Sequence, residues 1–119
     1  MHAVPSSSSP LRGEVWMLNF DPTRGHEQAG TRPALILSVD VFNAGSADLV
    51  IVLPITSRSK GVRSHVIVQP PAGGLSVVSY IKCEDVRSVA KERLYRRLGE
   101  ISATTMAEVE DKLRILLGL

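Results

Sequence analysis

Between Asp21 and Arg32 the chain reads DPTRGHEQAGTR, which gathers Arg24, His26, Glu27, Gln28, Thr31 and Arg32 on one stretch. A loop longer than a hairpin needs, and this rich in reactive side chains, is where function concentrates. Arg32 precedes Pro33, and the ring pushes the arginine into extended geometry where the loop enters a strand. A guanidinium held there either presents its planar fork of donors to a phosphate or lies on the surface of the fold. Glu27 is the loop carboxylate that can act as a general base. Arg32 nearby lowers its pKa, making it a weaker base and a better orienting acceptor. His26 and His65 are the right types for a neutral-pH acid/base pair, but no spacing brings them together, and His65 falls in an alternating run where packing is its ordinary role.

Thr56 closes the apolar run DLVIVLPIT, residues 48–56. Pro54 cannot donate a ladder hydrogen bond, so this strand is expected to be irregular or bulged near its end, and bulges re-aim side chains near active sites. Alternation puts Thr56 on the face of Val50, Val52 and Pro54. Its hydroxyl either donates to an anionic oxygen or caps a turn. The following loop, SRSKGVR, carries Arg58, Lys60 and Arg63 with no acid, and the stretch Lys91 to Arg97 adds Lys91, Arg93, Arg96 and Arg97 against Glu92. With 14 basic and 12 acidic residues and a formal net charge of +2, such clusters are either local anion funnels or solvated surface. Other chemistries fare poorly. Gly73-Gly74 after two prolines is a turn rather than a phosphate cradle, there is no nucleophile elbow, and histidines at 2, 26 and 65 lack metal-ligand spacing, so no metal or other cofactor is expected. The single Cys83 excludes an internal disulfide and a multi-cysteine zinc site, and packs as a small apolar residue.

The elements that must position these groups are short. With 119 residues, 44% of them hydrophobic, the chain is one domain with one core, placed at residues 11–119. Strands are expected at 13–20, 33–39, 48–56, 64–69, 77–82, 85–89 and 94–101, the third apolar on both faces as a central strand should be. The C-terminus alone has helical spacing: Met106, Val109, Leu113, Leu116 and Leu117 form one stripe, Ser102 or Thr105 can cap it, Thr105 and Glu108 have capping-box spacing, and Gly118 ends it. A compact, mostly β (α+β) antiparallel barrel closed by one amphipathic helix follows. The longest apolar run is far too short for a bilayer, so no membrane partner is expected. Residues 1–10 (MHAVPSSSSP) lack the apolar stretch of a secretory signal and read as a disordered Ser/Pro leader on a cytoplasmic protein.

Residues 12–39 resemble the opening of the MazF/PemK-type toxins. The shared parts are Gly13-Glu14-Val15-Trp16, Asp21-Pro22, Gly25-His26-Glu27-Gln28-Ala29-Gly30 and Arg32-Pro33. The likeness continues through Pro54-Ile55-Thr56-Ser57, Asp85-Val86-Arg87-Ser88 and the final helix, and covers essentially everything after Pro10. The resemblance implies a small SH3-like β-barrel that forms a homodimer. It implies sequence-specific, metal-independent cleavage of single-stranded RNA by 2′-hydroxyl attack, leaving a 2′,3′-cyclic phosphate and a 5′-hydroxyl. It also implies inhibition by a cognate antitoxin with an acidic, disordered tail. Arg32 and Thr56 take the family's catalytic positions and Glu27 that of a glutamate implicated in some members. With few aromatics for stacking, RNA reading is expected at Gln28, Ser57, Ser79 and Asp85, with Arg58, Lys60 and Arg63 drawing in phosphates. Relatives often carry Gln where Asp85 stands; an acid there accepts from a base amino group but repels phosphate. Two rivals use the same barrel: a CcdB-like non-enzymatic toxin that poisons DNA gyrase, and an RNA-binding module without catalysis. The Gly-x-Glu-Gln-x-Gly-x-Arg-Pro loop and Thr56 favour the nuclease.

Overall fold

The computed structural model describes residues 9–20 and 30–119, and in them the β-branched and aromatic runs become seven antiparallel strands. These are β1 (Glu14–Asn19), β2 (Thr31–Ile36), β3 (Leu49–Thr56), β4 (His65–Val68), β5 (Ser79–Lys82), β6 (Arg87–Ala90) and β7 (Leu94–Glu100). A short helix α1 (Asp40–Asn43) follows β2, and α2 (Ala103–Leu117) ends the chain. Of the expected leader, residues 1–8 lie outside the described residues, while Pro10 is buried and its carbonyl accepts from Asn43 Nδ2 at 3.0 Å.

The strands run in the order β4-β5-β3-β2-β1-β7, with β6 also paired to β3. The expected barrel is therefore not closed. The outer edge of β3 is divided: Leu49–Val52 pair with β6 and Ile55–Thr56 with β5, so the ladder forks there instead of returning to β7. Pro54 stands in the interval that pairs with neither arm, a place where a missing N–H costs no rung on that edge. β3 is irregular near its end, as expected, in that its outer edge changes partner across Leu53-Pro54; the recorded register shifts lie between β1 and β7.

Alternation sorts the strands onto two apolar faces. Val15, Leu35, Leu53, Ile55, Val66 and Ile81 build the main core with Met106, Val109 and Leu113 of α2, and Leu18, Ala34, Ile36, Val50 and Val52 build a second cluster. Each fully covered aliphatic side chain contributes about 2 kcal/mol. Cys83 is fully buried in the main core, as an apolar residue would be, and burial followed by the nearby Glu84 charge pushes its thiol up to about 11. Ser102 caps α2 by accepting from the Thr105 N–H at 3.1 Å, and Gly118 closes it at φ 71°. Leu116 and Leu117, expected on the buried stripe, are 45% and 57% exposed. Leu113 is the last residue of α2 in the main core, and the turn that follows it is left uncovered.

Candidate functional site

The ends of β2 and β3 open onto a cleft of about 710 Å³. Phe20 donates its N–H to the Gly30 carbonyl at 3.1 Å, so the β1–β2 ladder is closed right up to the chemistry-rich segment, and Arg32 sits half-buried two residues further on, opposite Leu18. The β2–β3 register pairs Ile36 with Val52, Leu35 with Leu53 and Ala34 with Pro54. By alternation Arg32 shares the face of Ala34 and Thr56 that of Pro54, so the two residues stand on one face beyond the last recorded rung of this ladder. Both residues line the cleft. The Thr56 Oγ1 accepts the Arg58 N–H at 3.1 Å. A hydroxyl has one proton and two lone pairs, so this turn-capping bond fixes the oxygen and leaves its proton to donate. The turn-capping bond therefore does not use up the hydroxyl proton.

Ser57, Arg58, Lys60 and Ser79 line the same cleft. The buried Ser79 hydroxyl donates to the Val77 carbonyl at 2.9 Å, which commits its proton to the backbone. Arg63 is exposed but does not line the cleft. Asp85 lies outside it, gripped by Arg87 with Nη2–Oδ2 2.8 Å and Nε–Oδ1 3.1 Å, with Lys82 Nζ 3.6 Å away, so its charge is largely compensated. Glu27 and Gln28 lie outside the described residues, as does His26.

The structure adds cleft residues that sequence spacing did not single out for this site: Lys82, Glu84 and Arg96. Glu84 is the acid of the described lining. It accepts from Ser64 Oγ at 2.6 Å and from His65 Nε2 at 3.0 Å. Burial pushes its carboxyl up, but the Ser64, backbone and His65 hydrogen bonds together hold it below the usual carboxylate value. The His65 ring is 6% exposed, and its Nδ1 is buried with no partner among the described residues. The one available signal for Lys82 and Glu84 was their placement on either side of the core residue Cys83. Arg96 lay within the basic stretch after Lys91, where spacing alone does not tell a cleft residue from a solvated one. Among the described residues no three His, Cys, Asp or Glu side chains cluster as a metal site would.

Residues 11–117 match the family described as PemK-like, MazF-like toxin of type II toxin–antitoxin system. The chain is 36% identical over 113 residues to the endoribonuclease MazF9 of Mycobacterium tuberculosis, a match spanning 91% of this chain and 96% of that one. It superposes on crystalline MazF from Deinococcus radiodurans with a TM-score of 0.77 and 40% identity, covering 93% of this chain and 98% of that one. The MazE–MazF structure from the same organism gives 0.78 and 40%, covering 93% and 97%. Matched along nearly its whole length in both sequence and fold, the chain belongs to the PemK-like, MazF-like toxins of type II toxin–antitoxin systems.

Proposed function

We propose that this chain is an endoribonuclease toxin that cuts single-stranded RNA at short sequences without a metal ion. The ribose 2′-oxygen attacks the adjacent phosphorus, the bond to the 5′-oxygen breaks, and the products are a 2′,3′-cyclic phosphate and a 5′-hydroxyl. The 2′-hydroxyl proton passes to Glu27 or to water, and the leaving oxygen takes up a proton. Negative charge grows on the non-bridging oxygens, where Arg32 and the Thr56 hydroxyl act as preorganised donors. The observation that carries this reading is that Arg32 and Thr56, on one face of β2 and β3, both line a single cleft together with further cations. Arg58 and Lys60 draw in the backbone, and Gln28 and Ser57 contact bases. Ser79, Arg63 and Asp85 need rearranged side chains or a longer RNA to take part. A homodimer in the cytoplasm, silenced by an antitoxin whose acidic tail covers the cationic cleft, completes the reading; the D. radiodurans relative has been solved as a MazE–MazF structure.

The test is to incubate the protein with mixed-sequence RNA and a chelator, then map new 5′ ends and their chemistry. Cuts within a short common sequence, with 5′-hydroxyl ends that disappear in Arg32→Ala, are expected. RNA bound but uncut, or gyrase arrested with RNA intact, overturns the proposal.

A further inference from the structure

Resting on the RNA reading above, we infer that Arg96 is a second phosphate-binding residue of the cleft, holding the RNA strand at a phosphate other than the scissile one. Among the described residues, ion pairs occupy several of the arginines. Arg12 is bound to Glu110, Arg87 to Asp85, Arg97 to Glu14 and Glu100, and Arg114 to Asp111. Among the described residues, the side chains of Arg32, Arg58 and Arg96, all of which line the cleft, take part in no such pair. Arg63 is likewise in no such pair and lies outside the cleft, so three of these four guanidiniums converge on one concavity, as an anionic polymer requires.

The backbone aims Arg96 there. β7 is an edge strand, and its pairing with β1 shifts register twice: Val15 faces Gly99 but Trp16 faces Arg97, and Met17 faces Arg96 but Leu18 faces Leu94. Leu98 and Tyr95 are thus extra residues flanking the Arg96-Arg97 pair, and bulges of this kind re-aim side chains. The first shift is held from outside by the turn Ala72–Gly74. A Cβ at Gly74 would stand 2.0 Å from the Leu98 carbonyl oxygen, so only glycine permits this close docking. Adjacent arginines then part: Arg97 turns to Glu14, and Arg96 shares the cleft with its cross-strand neighbour Met17. Arg96 and Met17 belong to the face opposite that of Arg32 and Thr56, and β7 lies two strand spacings, about 10 Å, from β2. The cleft wraps the strand ends, and a strand of RNA seated at Arg32 meets Arg96 further along its backbone.

The experiment measures binding of a mixed-sequence single-stranded RNA with 2′-fluoro sugars, which no 2′-hydroxyl attack can cut, and cleavage of the same RNA with ordinary ribose. Arg96→Ala is expected to raise Kd about tenfold and to flatten the slope of log K against log salt by about 0.7. Its kcat/KM falls through KM with kcat unchanged, and Arg96→Lys restores most of the affinity and the slope. Arg114→Ala, which removes the same charge on α2, keeps wild-type values. The inference is overturned if Arg96→Ala matches Arg114→Ala in Kd and slope, or if its loss falls on kcat. It is also overturned if the variant only aggregates while its soluble fraction binds normally, since the residue would then merely protect an edge. Lost affinity for poly-glutamate with RNA affinity intact overturns it too. A wild-type protein that binds RNA without cutting it sinks the nuclease reading alone, and the Kd and salt slope still decide Arg96.

Discussion

On one side of β7, Arg97 gives its Nε to Glu14 Oε2 at 2.7 Å, while Glu14 Oε1 accepts the Leu11 N–H and the Trp16 indole N–H, each at 2.9 Å. On the other side, Arg96 looks into a cleft with Arg32 and Arg58, and none of the three holds an acid among the described residues. The first region is a closed electrostatic knot: the Glu14 side chain is 9% exposed and its lone pairs are occupied. The second is open and under-neutralised. Charges that satisfy one another fix a fold, whereas charges left facing water in a concavity are free for a ligand that brings the opposite sign. Substitutions in the knot should therefore cost stability and spare activity, and substitutions at the Arg32 end of the cleft should do the reverse.

The largest effect expected is at Arg32. Losing a full positive charge with several N–H donors from a developing oxyanion costs at least about a hundredfold in rate, or about 2.7 kcal/mol. Arg32→Ala should lose that much in kcat on RNA while its melting temperature stays within a degree or two of wild type. An Arg32→Ala protein that cuts RNA at the wild-type rate breaks the comparison at its functional end. Next is Glu14→Ala, which strands the Trp16 and Leu11 donors and leaves Arg97 with Glu100 alone. A loss of about 2 kcal/mol, or roughly 8 °C in Tm, is expected. At a temperature where both proteins are folded, its kcat and KM should equal wild type, and a specific loss of kcat would show that the knot is not purely structural.

How much of this was readable beforehand follows from the range of the forces involved. That Arg32 and Thr56 meet at one cleft was legible because the signals are local: an Arg-Pro step, a strand that ends in a hydroxyl, and the loop motif around Gly25 to Gly30. Lys82, Glu84 and Arg96 enter the cleft through pairings among several strands, which no spacing along the chain reports. The helix α1 was missed because four residues show no period; it is held by Asn43, whose Nδ2 bonds the Pro10 and Ser38 carbonyls at 3.0 Å. Leu116 and Leu117 have the right spacing to be buried, but a pattern on a helix cannot say how many of its turns the core will cover. Closure of the barrel failed for the same kind of reason, since it depends on β3 giving its outer edge to two partners.

A smaller effect is expected at Thr56, and it sharpens the contrast inside the cleft. Thr56→Val keeps shape and removes the hydroxyl, so kcat should fall about tenfold, the worth of one charge-assisted hydrogen bond. The Arg58 N–H that loses its acceptor is exposed and finds water, so stability should change by less than about 0.5 kcal/mol. Thr56→Ser should recover most of the rate. A Thr56→Val protein with unchanged kcat and lowered Tm would make this hydroxyl a turn cap and nothing more.

The smallest effect lies in the acid limb of stability, where both regions contribute through carboxylates. Burial pushes the Glu14 carboxyl up, but the bonds from Trp16, Leu11 and Arg97 outweigh it and leave the group below its ordinary value of 4.5. Glu84 is lowered in the same way by Ser64, its backbone and His65. A carboxyl whose pKa is lower folded than unfolded contributes its stability fully above the unfolded value, and that contribution is lost as pH falls through the folded one. Unfolding free energy should therefore be level from neutrality to about pH 5 and decline below it. Glu14→Gln begins lower, because an amide cannot hold Arg97 as a carboxylate does, and its decline should be shallower since one linked proton is gone. Arg32→Ala should decline in parallel with wild type, because among the described residues no carboxylate leans on that guanidinium. Urea titrations at several pH values read these slopes. Equal slopes for wild type and Glu14→Gln would mean that the knot holds its carboxylate no more tightly than solvent does, and that the line drawn between the two faces of β7 is not an electrostatic one.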